Sequence, residues 1–194
     1  HESGRRRRRP KEEKKAAAQL AIPVWVSVLK KNNVPENILT LVIAQMILET
    51  AYFTSNPYKL NKNPGGITWN NNYLKRSGTS KGSERPADEG GNYVRFDNYD
   101  TAAKDYLRII NRSPGKPITA TNETDFAHRL ALNGYFDIKK TSEQSYLKNL
   151  KSIVKRLEDW TDITALIKKK DSLTMAAMPA VFIGLILGTL FFKK

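Results

Sequence analysis

Apolar residues recur at helical spacing between Asn37 and Thr50, and this pattern predicts the central helix of the fold. The residues at i, i+3 and i+4 spacing are Ile38, Leu39, Val42, Ile43, Met46 and Ile47. The remaining faces carry Leu41, Ala44 and Leu48. A helix that is apolar almost all round is expected to be buried in the protein interior.

Glu49 closes this helix with a carboxylate on a face that the pattern predicts to be buried, one turn beyond Gln45. Burial disfavours the ionised form, and so does the negative end of the helix dipole, so we expect the pKa of Glu49 to be raised. A carboxyl group that stays protonated near neutral pH can serve as a general acid. The alternative is an ordinary solvated Glu at the helix edge.

Weaker patterns on both sides of this helix predict further helices and one small hairpin. Ala16–Asn33 has a helical pattern that Pro23 interrupts. Ala51–Leu60 is expected to be a loop, while Ile67–Trp69 and Tyr93–Phe96 read as two antiparallel strands. Three more helices are predicted to begin near Asp100, near Thr121 or Asn122, and near Thr141. The fold class is therefore mainly α (α+β).

The composition limits the chemistry that the chain can perform. Its 194 residues carry a formal net charge of +14, which predicts attraction to polyanions such as nucleic acid, anionic lipid or an acidic cell-wall polymer. There is no cysteine, which excludes disulfides and thiolate chemistry. His1 and His128 are too few for a His-rich metal site, so we expect no metal and no cofactor.

The basic segment near the start of the chain contains Arg5–Arg9. A block of like charge cannot bury itself, so we expect a mobile arm that binds nucleic acid or anionic lipid. The same composition would suit a solvated tail without a single partner. It would also suit a positively charged signal that keeps this end of a membrane protein on the inner side of the membrane.

The segment 173–192 is uncharged and has the length that a bilayer requires, so it predicts a transmembrane helix. Gly184 and Gly188 have the spacing of helix pairing in membranes and predict self-association. The alternative is a buried soluble helix. We therefore divide the chain into a basic arm (1–15), a globular domain (16–160), a basic linker (161–172) and a transmembrane helix (173–192).

Four motifs resemble those of a known family. Ile43–Thr50, followed by Ser55, resembles the AQ-x-x-LES/T-x-x-x-x-S signature of the glucosaminidase family of peptidoglycan hydrolases, which belongs to the lysozyme-like superfamily. Three further motifs follow in the family's order: Asn63–Ile67 resembles its N-L-F-G-I turn, Tyr93–Tyr99 its FR-x-Y strand, and Leu132–Tyr135 its late G-Y motif. The order and spacing hold from Val24 to Asp159.

The resemblance implies a lysozyme-like helical domain with a small β-hairpin, and it implies roles for single residues. Glu49 would be the catalytic acid, and Tyr135 would lie in the cleft near the scissile bond. The residues expected to bind or position substrate are Gln45, Asn63, Gly66 and Tyr93. A second carboxylate would come from the hairpin, where we prefer Glu84 to Asp88 and Glu89. The chain departs from the family at Gly65, where an aromatic residue is expected, and at Thr68, where a lysine is expected.

The expected activity is that of a glycosidase of N-acetylglucosaminidase or muramidase type, or of a lytic transglycosylase. Its substrate would be the β-1,4 bond between N-acetylglucosamine and N-acetylmuramic acid. Three groups could complete the reaction after Glu49 protonates the leaving oxygen. They are a water molecule that attacks from the side opposite Glu49, the acetamido group of the substrate, and its 6-hydroxyl.

The basic arm and the apolar segment suit a single-pass membrane protein of a bacterial envelope or a virion membrane. In the virion case it would open the wall for a membrane-containing phage. The alternative function is an inactive lysozyme-like protein that binds the wall or serves as a structural membrane protein of a virion.

Overall fold

A computed structural model of the chain describes residues 3–136 and 141–169. Within these residues the chain is mainly helical, with one small antiparallel sheet. The elements in chain order are α1 (Ser3–Lys31), α2 (Glu36–Glu49), α3 (Asn56–Asn61), β1 (Thr79–Glu84), β2 (Asn92–Phe96), α4 (Tyr99–Ile110), α5 (Glu123–Leu132), α6 (Glu143–Trp160) and α7 (Ile163–Lys168). Short 3₁₀ helices lie at Asn71–Lys75 and Pro117–Thr119.

Helix α2 is the centre of the hydrophobic core, as the apolar pattern predicts. Every residue from Leu41 to Ile47 is buried. Helices α1 and α6 pack against α2, and they bring Trp25 and Leu150, both fully buried, to the same core. Each fully buried apolar side chain of this size contributes about 1.5–3 kcal/mol. The core therefore holds α2 firmly, and with it the carboxylate at its end.

Helix α1 continues through Pro23, so the predicted interruption is wrong. Proline removes the hydrogen bond that an N–H at this position would donate to the carbonyl of Gln19. Ile22 and Trp25, on either side, are fully buried, and their packing outweighs this loss. The backbone of Arg5–Arg9 also belongs to α1, where the sequence predicts a mobile arm.

Strands β1 and β2 form a small antiparallel hairpin, which confirms the predicted hairpin. Its first strand, however, is not the segment that the sequence predicts. The predicted strand at Ile67–Trp69 is wrong, since this segment contributes only an isolated bridge between Thr68 and Tyr93. The actual partner, β1, is polar and lacks the alternation by which strands are recognised. A neighbouring side chain helps to hold β1, because the amide of Asn61 donates to the Ser83 hydroxyl at 2.7 Å and accepts from the Ser83 N–H at 3.1 Å.

Helix α3 occupies the second half of the predicted loop Ala51–Leu60, so that prediction is wrong for this half. Pro57 lies in the first turn of α3, where a missing N–H costs nothing, so it begins a helix instead of preventing one. Tyr58 is buried, and its hydroxyl accepts a hydrogen bond from the Trp25 indole at 3.1 Å.

The three predicted C-terminal helices are present as α4, α5 and α6. Their N-caps are Asn98, Asn122 and Ser142, each of which accepts a backbone N–H with its side chain. Two of these caps lie within two residues of the predicted starts at Asp100 and Thr141, and Asn122 is one of the two residues predicted for α5.

Helix α7 lies within the predicted linker 161–172. Ile163 and Ile167 are buried, so this part of the segment packs on the domain. The side chain of Lys30 in α1 donates to the carbonyl of Ile167 at 2.8 Å and ties the two helices together.

No helix in residues 3–136 and 141–169 has the length and apolar character needed to cross a bilayer. The predicted transmembrane helix 173–192, with Gly184 and Gly188, lies outside the described residues. A mainly helical domain with one small two-stranded antiparallel sheet is confirmed within the described residues.

Candidate active site

Glu49 is the last residue of α2, and the chain turns sharply after it. Ala51, Tyr52 and Phe53 all have positive φ angles, of 48°, 66° and 62°. This left-handed conformation costs roughly 1–2 kcal/mol for each non-glycine residue. Two features hold the turn: Phe53 is buried, and its N–H donates to the Thr50 hydroxyl at 2.9 Å.

The carboxyl group of Glu49 has the raised pKa that its position predicts. The side chain of Glu49 is open to solvent on one side. On the other sides, protein atoms surround its carboxyl group. Burial by this surrounding protein raises the pKa of Glu49 from 4.5 to about 7. Both the protonated and the ionised form are therefore populated near neutral pH.

Three tyrosines from different elements surround this carboxyl group. Tyr106 lies on α4, Tyr146 on α6, and Tyr135 just beyond α5. The pKa of each phenol is raised, first by burial and also by the negative charge of Glu49. All three phenols are consequently neutral near pH 7 and can donate hydrogen bonds.

Tyr135 is positioned by the end of α5. Gly134 has a φ of +62°, which reverses the chain after the helix. The Tyr135 N–H then donates to the carbonyl of Leu130 at 3.0 Å. The glycine of the predicted G-Y motif thus has a physical role, because a side chain at this φ would be strained.

Gln45 lies one turn below Glu49 and is fully buried. Its amide faces Tyr135 and Tyr146, and this contact partly opposes the rise in the pKa of both phenols. Neither contact has good hydrogen-bond geometry, so among the described residues both amide atoms lack a partner. The hydroxyls of Tyr106 and Tyr146 are likewise buried without a described partner. The floor of the site is therefore polar, within an otherwise apolar core.

Asn63 fixes the turn that runs beside these tyrosines. It is fully buried, and its Nδ2 donates to the carbonyls of Ile67 at 2.8 Å and Val94 at 3.0 Å. Its Oδ1 accepts from the Ile67 N–H at 2.8 Å. Asn63 therefore positions the cleft wall through backbone contacts, while Gly66, at a φ of +61°, lines the cleft itself.

A groove of about 350 Å³ runs beside this turn. Tyr106 and Tyr135, whose phenols feel the charge of Glu49, line one part of it, and three arginines line another, while Glu49 itself is not among the lining residues. The arginines are Arg76, Arg108 and Arg112. Sequence reasoning missed these arginines, and also Tyr106 and Tyr146, as site residues. They come from segments far apart in the chain, since Arg76 follows the 3₁₀ helix Asn71–Lys75, Tyr106 and Arg108 lie on α4, Arg112 follows α4, and Tyr146 lies on α6. Only tertiary packing brings them together.

Glu84 and Tyr93 do not line this groove. Glu84 is exposed at the end of β1, and Tyr93 is half-buried in β2 with the Arg85 guanidinium 6.0 Å from its ring. Burial alone accounts for the raised pKa of Glu49. The roles of Glu84 and Tyr93 remain predictions.

The described residues contain no group of three or more His, Asp or Glu side chains that could hold a metal ion. The carboxyl group of Glu49 can hold or release a proton near neutral pH, and the neutral phenols beside it can donate hydrogen bonds.

Residues 22–159 match the model of the glucosaminidase family, described as mannosyl-glycoprotein endo-beta-N-acetylglucosaminidase. The match spans more than half of the chain, and the protein therefore belongs to the glucosaminidase family of glycosidases. No curated protein matches the chain.

Two solved structures are similar to this chain. One is a peptidoglycan hydrolase mutant from Sphingomonas sp. A1, with 22% identity, a TM-score of 0.46, and coverage of 71% of this chain and 92% of that one. The other is the catalytic domain of the autolysin Auto from Listeria monocytogenes, with 18% identity, a TM-score of 0.48, and coverage of 79% of this chain and 87% of that one.

Proposed function

We propose that the protein cleaves the glycan strand of peptidoglycan at the β-1,4 bond between N-acetylglucosamine and N-acetylmuramic acid. Glu49 is the general acid that protonates the leaving oxygen. The observation that carries this proposal is the pKa of Glu49, about 7, in a carboxyl group that is still open to solvent. An acid with this pKa holds its proton near neutral pH and can release it to a substrate.

Peptidoglycan is favoured as the substrate by the four motifs and by the charge of the chain. The motifs resemble those of wall hydrolases within the glucosaminidase family. The net charge of +14 suits a polymer with free carboxylates, since opposite charge raises the local concentration of a polyanionic substrate.

The phenols beside Glu49 bind the substrate and orient it relative to the acid. Tyr135 borders both the groove and Glu49, so its neutral hydroxyl can hold the sugar next to the scissile bond. Gln45, one turn below Glu49, faces the same tyrosine and supports the acid by keeping the floor of the site polar. Hydrogen bonds of this kind contribute most when they are fixed in position before the substrate binds.

Glu84 is our candidate for the second carboxylate. Glu89, in the same loop, is engaged by Arg85 at 2.5 Å, whereas Glu84 makes no ion pair with a described residue. An inverting enzyme needs a separation of roughly 6.5–9.5 Å to admit the attacking water. If Glu84→Gln leaves the rate unchanged, the acetamido group or the 6-hydroxyl of the substrate completes the reaction instead.

The test is digestion of purified peptidoglycan by the full chain, by Glu49→Gln and by Glu36→Gln, with the new glycan ends identified by mass spectrometry. Glu36 is exposed at the other end of α2, so it is a matched control for the loss of one carboxylate. New ends from the wild type and Glu36→Gln, but not from Glu49→Gln, are expected. Reducing N-acetylglucosamine, reducing N-acetylmuramic acid or an anhydro sugar at those ends would identify the bond and the route.

An absence of new ends from the wild type, with the folded protein still sedimenting with the wall, would refute the enzymatic proposal. That result would support the alternative of an inactive wall-binding or structural protein.

We further propose that residues 173–192 anchor the protein in a bacterial or virion membrane as a single pass. The uncharged composition of this segment supports the proposal. Flotation with phospholipid vesicles, compared between the full chain and a chain ending at Lys169, tests it. Salt-dependent binding of the full chain to DNA or to anionic vesicles, lost when Arg5–Arg9 is deleted, tests the basic arm. Pairing through Gly184 and Gly188 is tested by comparing the self-association of the full chain with that of the chain ending at Lys169.

A further inference from the structure

The groove lined by the two phenols next to Glu49 is also lined by three arginines, which cleavage of an uncharged glycan would not require. Arg76, Arg108 and Arg112 share the groove with Tyr106 and Tyr135, the phenols that border the acid. Its volume, about 350 Å³, falls within the range of roughly 300–1,000 Å³ that is usual for ligand sites.

The charges of this cluster are not balanced. Arg76 and Arg108 share one carboxylate, that of Asp105, with Nη1 of Arg76 at 3.4 Å and Nε of Arg108 at 2.8 Å from its Oδ1. Arg112 donates to the neutral carbonyl of Asn133 at 3.0 Å and makes no ion pair with a described residue. Three guanidinium groups and one carboxylate leave a net positive charge in this part of the groove.

Asp105 and Tyr73 hold two arginines of this cluster in position. Asp105 is buried, and its other oxygen accepts a hydrogen bond from the Tyr73 hydroxyl at 2.6 Å. The side chains of Arg76 and Arg108 are 39% and 46% exposed, so they remain accessible to a ligand. Fixing the arginines in advance lowers the entropy cost of binding an anion.

We propose that this cluster is a subsite for carboxylate groups carried by the glycan, so that the protein selects strands with acidic branches. This inference rests on the proposed function and names the substrate feature that the groove recognises. Arginine is suited to the role because its planar guanidinium can bind a carboxylate through two parallel hydrogen bonds. The carboxylate would belong to a sugar at or next to the scissile bond, because the same groove reaches Tyr135.

The test is calorimetric binding in the Glu49→Gln background of the full chain, which prevents turnover. Three glycans of equal length are compared: one with lactyl-peptide branches, one in which an amidase has left free lactyl carboxylates, and an uncharged N-acetylglucosamine oligomer. We expect the Kd to be at least about tenfold lower for a carboxylate-bearing glycan than for the uncharged one. We expect Arg112→Gln or Arg76→Gln to reduce that ratio by about tenfold. The first two glycans distinguish peptide carboxylates from lactyl carboxylates.

Lys104→Gln is the matched control. Lys104 lies on α4 with Arg108, but it pairs with Asp100 at 2.7 Å and does not line the groove. This variant should leave the ratio of Kd values unchanged. Equal Kd values for charged and uncharged glycans, or a ratio unaffected by both arginine variants, would overturn the subsite while glycan cleavage by the wild type continued. Failure of the proposed function itself would appear differently, as no new glycan ends from the wild type, whether or not the protein still binds the glycans.

Discussion

Gly65 lies directly against the ring of Tyr106: a Cβ atom at position 65 would be 3.0 Å from two carbons of that ring. It would also lie 3.5 Å from the Tyr135 hydroxyl. The turn departs from the family motif here, since the motif has an aromatic residue where this chain has Gly65. The space beside the turn is occupied by an aromatic ring from α4 instead, so the cleft wall retains an aromatic surface from a different part of the chain.

Gly65→Ala should destabilise the fold and reduce activity. Tyr106 is only 1% exposed and has little room to move, so the added methyl group overpacks the site at a cost of about 1–3 kcal/mol. Urea unfolding and glycan digestion measure the two effects.

Gly66→Ala is the control for that change, because its Cβ would meet nothing within 4 Å and only the φ of +61° opposes it. We expect a cost of about 1 kcal/mol there. If Gly65→Ala proved as stable as the wild type, the contact with Tyr106 would not be the reason for glycine at this position.

Activity should fall as the pH rises above 7. Glu49 must be protonated to act as an acid, and its pKa is about 7. The value of kcat/KM is therefore expected to fall about tenfold for each further pH unit. The pH profile of glycan cleavage measures this, and a profile that stayed flat to pH 9 would exclude Glu49 as the acid with this pKa.

Glu49→Gln should stabilise the protein at high pH. The pKa of Glu49 is raised from 4.5 to about 7, so the folded state binds the proton more tightly than the unfolded state. This contribution to stability is complete below pH 4.5 and is lost as the pH rises through 7. The full shift corresponds to roughly 3 kcal/mol, but Glu49 is open to solvent, and screening reduces the expected effect to about 1 kcal/mol.

Thermal unfolding at pH 4 and pH 8.5 measures this effect. The Tm of Glu49→Gln should exceed that of the wild type at pH 8.5 and equal it at pH 4. Glu36→Gln should show no such gain at either pH. A lower Tm for Glu49→Gln at pH 8.5 would contradict the assigned cause, which is burial of the charge.

Ala51→Gly should stabilise the turn that follows α2. Ala51 has a φ of 48°, which glycine adopts without strain. The entropy of the unfolded chain offsets part of the gain, so we expect an increase of up to about 1 kcal/mol in the free energy of unfolding. Ala16→Gly, in the exposed face of α1, should instead lower it by about 1 kcal/mol. A decrease in both variants would mean that the left-handed turn stores no strain at Ala51.

Asn63→Asp should be strongly destabilising. The aspartate could not donate to the carbonyls of Ile67 and Val94, and it would place a charge where the native side chain is fully buried. A loss of about 3 kcal/mol or more is expected in urea unfolding. Asn72→Asp, on the exposed part of the groove wall, should change stability by less than about 0.5 kcal/mol. Equal stability of the two variants would show that the Asn63 amide does not hold the turn.

Local sequence determined the central helix and its terminal acid. The apolar period of residues 38–47 fixes a buried helix, and Glu49 follows at the end of it. The sequence therefore predicted a raised pKa for Glu49 from burial and the helix dipole, and burial raises it in the structure. Capping residues likewise located α4, α5 and α6 to within two residues. These features depend on neighbours within a few positions, which is the range over which periodicity and capping act.

Long-range contacts decided the remaining features. Strand β1 has no apolar alternation of its own; it pairs with β2 and is held by Asn61. Helix α1 passes through Pro23 because its neighbours pack against the core. The groove exists because α4 carries Tyr106 and Arg108 to a turn some forty residues earlier in the chain. No local pattern encodes such a meeting, since it arises only when separate helices bury their apolar faces together.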